Sequence, residues 1–101
     1  MDAVRKAEIP LTEEQKRQIK ALAARHGASN VRIFGSFARG EVRAHSDLDI
    51  LVDVGAETSS WFPAGLIIDL QKLLGRPVDV VTERGLNPFL RDAVMGEARP
   101  L

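Results

Sequence analysis

Three residues of this chain have the type and placement to do chemistry: Asp47, Asp49 and Asp79. Asp47 and Asp49 open a run that turns apolar at Ile50, Leu51 and Val52. A strand repeats every two residues, so both carboxylates point to one face, with Cα atoms roughly 6–7 Å apart. At that separation the two side chains can share a divalent cation. An acid on an otherwise apolar strand loses solvation free energy unless water, a cation or a donor meets it. Asp79 repeats the pattern between Val78 and Val80. If the two strands are neighbours, three carboxylates converge on one patch. Hard oxygen ligands without cysteine suit Mg²⁺ or Mn²⁺. Two such ions about 4 Å apart can hold the attacking and leaving oxygens of an in-line phosphoryl displacement.

A second group lies just upstream. The apolar run Val31 to Phe34 ends in Gly35-Ser36. Glycine has no Cβ, so a phosphate can approach its backbone closely. A helical turn from Ser36 would aim free N–H groups at that phosphate, and the Ser36 hydroxyl adds a donor. Arg39 follows by three residues and would lie on the same side, as a phosphate contact or a surface arginine. Gly-Ser alone marks an ordinary turn; its weight comes from the acids that follow. Asp53 shares the face of the acid pair but reads as a solvated strand end. His26, in the last turn of the first helix, reads as a favourable charge near its C-terminus.

These residues need elements to position them. Thr12 and Gln15 have capping-box spacing, so a helix starts there, with an apolar stripe at Ile19, Leu22 and Ala23 and a stop at Gly27. Residues 31–34 form a first strand, and residues 47–54 a second after a loop at 41–46. In the second strand Leu48, Ile50 and Val52 share one face; Asp47, Asp49, Leu51 and Asp53 share the other. Apolar residues on both faces imply partial cover on both sides. A polar turn at Gly55 to Ser60 leads to a helix from about Phe62 or Pro63 to Leu74, striped by Phe62, Leu66, Leu70, Leu73 and Leu74. Gly75 and Pro77 close it. Val78 to Val81 is a third strand, and the long crossover suits a parallel pairing, with an antiparallel one left open. Asn87-Pro88 has helix-start character. The helix that follows runs to about Gly96 and is expected to bury Phe89, Leu90, Ala93 and Val94. Residues 98–101 add a short edge strand. The fold class is α/β (α+β): helices packed on a small mixed β-sheet.

The bulk numbers set limits. At 101 residues the chain reads as one domain, 1–101, with a loose arm over 1–10 and no room for a separate substrate domain. An apolar share of 45% beside 28% charged suits a folded chain rather than a disordered one. The net charge of +0 gives no global attraction to nucleic acid or membrane. No cysteine is present, which excludes disulfides and thiol chemistry. With no apolar run of membrane-span length and no signal-peptide core, a cytoplasmic location is expected.

Taken together, Gly35-Ser36, ten intervening residues and then Asp47-Leu48-Asp49-Ile50 resemble the signature of the DNA polymerase β nucleotidyltransferase superfamily. The longer run GSFARGEVRAHSDLDILVDV resembles its minimal nucleotidyltransferases, and the resemblance spans roughly residues 12–98. It implies the polymerase β-like fold, with Gly35 and Ser36 binding the triphosphate of ATP and Asp47, Asp49 and Asp79 holding Mg²⁺. It also implies attack of a hydroxyl on the α-phosphorus with release of pyrophosphate. Minimal nucleotidyltransferases commonly act as antitoxins of HEPN-domain ribonuclease toxins, some by placing AMP on a toxin tyrosine. The expected partner is therefore a HEPN toxin in a hetero-oligomer, rather than nucleic acid. Two other readings remain open at this level: a non-catalytic antitoxin that blocks the toxin by binding, and transfer to a small molecule such as an aminoglycoside.

Overall fold

The computed structural model describes residues 9–55, 58 and 61–101. Residues 1–8, most of the expected arm, and positions 56, 57, 59 and 60 within the expected polar turn lie outside the described residues. Helix α1 (Glu13–Arg25) begins with the capping box foreseen from spacing. The Gln15 N–H donates to Thr12 Oγ1 at 3.0 Å, and the Thr12 N–H donates to Gln15 Oε1 at 2.9 Å. Strand β1 (Ala28–Phe34) starts three residues earlier than the apolar run suggests. The added residues pair beyond a bulge: the register with its neighbour shifts between Ser29 and Arg32, and Asn30 sits at φ 50°. Helix α2 is the single turn Ser36–Arg39, and β2 is Leu48–Val54.

Helix α3 (Ala64–Leu74) starts one residue after Pro63, slightly later than expected, and stops at Gly75, whose backbone is left-handed. Strand β3 (Val78–Thr82) follows. Helix α4 (Pro88–Glu97) is capped by the Asn87 side chain, which accepts from the Phe89 N–H at 2.9 Å. The short β4 (Arg99–Pro100) is the expected edge strand.

The four strands form one mixed sheet in the order β3-β2-β1-β4. The β2 and β3 strands run parallel across the α3 crossover, and β1 is antiparallel to both β2 and β4. Ile33, Leu48, Ile50, Val52, Val78 and Val80 line one face and are buried with Ile19 and Ala23 of α1 and Leu66 and Leu70 of α3. That layer is the hydrophobic core. Phe37 and Ala38 of α2 also reach it, so the turn after Gly35 is anchored by apolar burial. Leu51 points the other way and is fully buried as well, as expected for a strand covered in part on both sides.

The last helix departs from expectation. None of the α4 residues is buried; Phe89 is 95% exposed, Leu90 is 56% exposed, Ala93 is exposed and Val94 is half-buried. Its apolar pattern has the helical period, but its bulkiest apolar residues at the start, Phe89 and Leu90, stand exposed rather than in the core. Leu73, placed in the α3 stripe, is also exposed, because α3 meets the core through Leu66 and Leu70. Trp61 is 77% exposed, whereas Phe62 packs against the core.

Candidate active site

Parallel pairing of β2 with β3 sets Asp49 directly opposite Asp79. Neighbouring strands lie about 4.8 Å apart, so the two carboxylates start from adjacent backbone on the same face. Asp47 precedes β2 by one residue and is exposed, as is Asp79, whereas Asp49 is half-buried. Asp49 also faces the end of β1, where Phe34 is its register partner. All three acids of the sequence reading therefore stand at one end of the sheet, at the starts of β2 and β3.

Asp49 is crowded by burial and by like charges. Burial pushes its carboxyl up to about 6, and the negative charges of Asp79, Asp47 and Glu97 push the same way, opposed by Arg39. Desolvation and like charge both disfavour the ionised acid. A cation at this edge would relieve both.

Gly35 is fitted to Asp49. Its backbone sits at φ 73°, ψ −151°, a combination essentially restricted to glycine. A Cβ built there would collide with the Asp49 carboxylate oxygen. The Gly35 N–H donates to Glu97 Oε1 at 2.5 Å. Ser36 opens α2, and Arg39 closes it. Arg39 does not stand free: its Nε donates to Glu41 at 2.8 Å and its Nη1 to Glu97 Oε2 at 2.9 Å. These two carboxylates raise its already high pKa further. The loop before the acids is held in turn by Arg76, which donates to the Ser46 carbonyl at 3.0 Å and covers the Phe37 ring at 4.9 Å.

The donor set fits magnesium by its chemistry. Among the described residues no three acidic or imidazole side chains close into a ready-made cage. Magnesium is held by one or two carboxylates plus waters and substrate phosphates rather than by an all-protein cage, so an open edge of acids is the form that suits it. A hollow of about 590 Å³ lies elsewhere, at the far ends of β2 and β3, lined by Asp53, Val54, Thr82, Glu83, Arg84 and Arg91. The acids thus sit on open sheet surface, away from that hollow.

One expectation is corrected at this level, and another is extended. Asp53 is not a freely solvated strand end: it accepts from Arg32 Nη2 at 2.8 Å and Asn30 Nδ2 at 2.9 Å. Arg32 is a buried cation with 8% exposure, and burial demands such partners. His26 does more than sit near a helix end; its Nε2 lies 2.8 Å from Asp69 Oδ2 and links α1 to α3. Sequence reasoning missed Glu97 altogether. It lies 62 residues beyond Gly35, in a helix whose own periodicity carries no trace of the contact.

Residues 15–101 match the nucleotidyltransferase domain family. A Methanocaldococcus jannaschii chain to which protein adenylyltransferase activity is ascribed is 40% identical over 85 residues, covering 84% of this chain and 91% of that one. The protein adenylyltransferase MntA of Thermococcus cleftensis is 37% identical over 78 residues, covering 77% and 79% respectively. A solved structure ascribed to the minimal nucleotidyltransferases superposes with a TM-score of 0.78 at 49% identity, covering 87% of this chain and 90% of that one. A chain of a toxin–antitoxin crystallised with AMP-PNP shares the fold at a TM-score of 0.73 and 23% identity, covering 84% of this chain and 70% of that one. The chain belongs to the nucleotidyltransferase domain family, with the polymerase β-like fold that its sequence resembles.

Proposed function

We propose that this chain transfers AMP from ATP to a tyrosine hydroxyl of a partner HEPN toxin and acts as its antitoxin. The observation that carries the reading is the register of Asp49 against Asp79, with Gly35 packed so closely on Asp49 that no side chain fits between them. A nucleotide end and an acid end then meet at one point of the sheet. The relatives support the acceptor class: one is a protein adenylyltransferase, and the fold recurs in a toxin–antitoxin bound to an ATP analogue. The HEPN toxin and its tyrosine follow from the resemblance to minimal nucleotidyltransferases.

In this reading Gly35, Ser36 and Arg39 bind the triphosphate, and Asp47, Asp49 and Asp79 hold Mg²⁺. When bound, the metal neutralises charge that develops on the phosphorus oxygens, commonly the largest contribution in such chemistry. The acceptor oxygen bonds to the α-phosphorus while the bond to the bridging oxygen breaks, and pyrophosphate leaves. Asp79, exposed at the edge, takes the acceptor proton. The left-handed Gly35 keeps the phosphate end and the acid end in contact.

The test uses ATP labelled at the α-phosphate, Mg²⁺ and the co-expressed partner, beside an Asp47→Asn/Asp49→Asn double variant. Label on the partner with the intact acids alone is expected. An unlabelled partner that is still bound and inhibited would replace this reading with inhibition by binding.

A further inference from the structure

We infer that Glu97 is a positioning residue for the nucleotide: its carboxylate bridges the Gly35 backbone and the Arg39 guanidinium and sets both for the phosphates. This rests on the nucleotidyl-transfer reading above. One oxygen, Oε1, accepts from the Gly35 N–H at 2.5 Å, and the other, Oε2, accepts from Arg39 Nη1 at 2.9 Å. Both partners belong to the segment that the proposed function assigns to the triphosphate, and they flank α2 at its two ends.

The need for a clamp is visible in the segment itself. Gly35 holds a positive-φ conformation open to glycine, but glycine is equally free to leave it, so a contact is needed to select it. Glu97 supplies for Gly35 what the Gln15 side chain supplies for Thr12: an acceptor for the N–H of the residue that caps a helix start. Here the acceptor arrives from α4 rather than from the same helix. Arg39 has a long, flexible side chain that is 47% exposed. Left alone it would lose rotamer entropy on meeting a phosphate. Glu41 on Nε and Glu97 on Nη1 fix its plane in advance. A guanidinium has five N–H donors, so two such bonds leave donors over for phosphate oxygens. Arg99 completes the frame by donating to the Ala38 carbonyl at 2.9 Å.

A carboxylate that only anchored α4 would show itself in stability alone. Positioning predicts an effect on nucleotide affinity that passes through Arg39. The test is calorimetric titration of the full chain with ATP and Mg²⁺, for wild type, Glu97→Ala, Glu97→Gln, Arg39→Ala and the Arg39→Ala/Glu97→Ala double variant, each with its Tm. Glu97→Ala is expected to raise Kd roughly tenfold, in line with a charge-assisted pair. Glu97→Gln keeps the volume and an acceptor for the Gly35 N–H but loses the charge, so its Kd should fall between the two; it also serves if the alanine variant fails to fold. In the Arg39→Ala background the Glu97→Ala change should cost clearly less than in wild type, the non-additivity of a shared contact. Unchanged Kd in folded Glu97 variants, or a lower Kd, overturns the positioning role; a lower Kd would make Glu97 a competitor for the phosphate donors. Strict additivity with Arg39→Ala overturns it too. Wild type that binds no nucleotide overturns this inference and the proposed function together, so the two failures are told apart.

Discussion

One face of the sheet carries Ile33, Leu48, Ile50, Val52, Val78 and Val80, sealed beneath α1 and α3. The other, one strand thickness away, carries Arg32, Asp49, Leu51 and Asp53, with Asp79 beside Asp49. On the first face burial is apolar and needs no partners. On the second, charge is held by charge: Arg32 by Asp53, and Arg91 by Glu83 at 2.5 Å. Helix α4 is tied to this side through Arg91 and Glu97, and buries none of its own residues. The contrast teaches how a small sheet can host a reactive edge. The sealed face fixes the strands, and the polar face then tolerates a crowded acid such as Asp49 that on its own works against folding.

The contrast breaks most sharply by removing Asp49. Asp49→Asn should lower transfer of labelled AMP by roughly 10³-fold while the chain still folds, as checked by circular dichroism. On the sealed face the reverse holds. Leu70 is fully buried, and Leu70→Ala should cost about 2–5 kcal/mol of unfolding free energy in a urea titration. Near the unfolding midpoint activity would fall only in proportion to the folded fraction.

Gly35 joins the two properties. Gly35→Ala forces a Cβ into the Asp49 carboxylate at a left-handed φ. A stability loss of about 1–3 kcal/mol is expected, together with loss of ATP binding. Retained binding at wild-type affinity would show that the turn can move aside, and would remove Gly35 from the nucleotide end.

Asp49 should also link stability to pH, with a sign opposite to that of a salt-bridged acid. Its carboxyl stands near 6 in the fold against an ordinary value of 3.8. The folded chain therefore binds this proton more tightly than the unfolded one. The ionised acid is a penalty present in full above about pH 6, and it fades as pH falls toward 3.8. In EDTA, Asp49→Asn should be more stable than wild type at pH 8 by about 1 kcal/mol, after allowance for the solvent that reaches the carboxylate. The advantage should vanish near pH 4. An equal difference at both values would mean that packing, not charge, sets it.

Much of this was legible in the sequence, for reasons that differ by residue. Thr12-Gln15 and Asn87-Pro88 are local, and spacing alone locates them. The spacing of Asp47 and Asp49 marked the start of β2, although the strand begins at Leu48 and leaves Asp47 just outside it, and the α3 crossover suited the parallel pairing that sets Asp49 against Asp79. What stayed hidden depends on contacts distant in the chain. The tie from Glu97 to Gly35 has no periodicity to betray it. The bulge at Asn30 hid the start of β1 behind three polar or small residues. The partners of Asp53 include Arg32, whose burial on a strand no pattern reveals.

Helix α4 shows the limit of periodicity most plainly, and gives the smallest predicted effect. Phe89 and Leu90 recur as a buried stripe would, yet periodicity reports only that a face is apolar, not that another layer of the same fold covers it. Their side chains lie mostly in water, so truncation removes little burial. Phe89→Ala and Leu90→Ala should each change unfolding free energy by less than about 0.5 kcal/mol, against several for Leu70→Ala. The same urea titration measures all three. A loss near 2 kcal/mol at Phe89 would mean that α4 packs in solution as the core helices do, and the contrast between the sealed and the charged face would then fail where it is drawn most strongly.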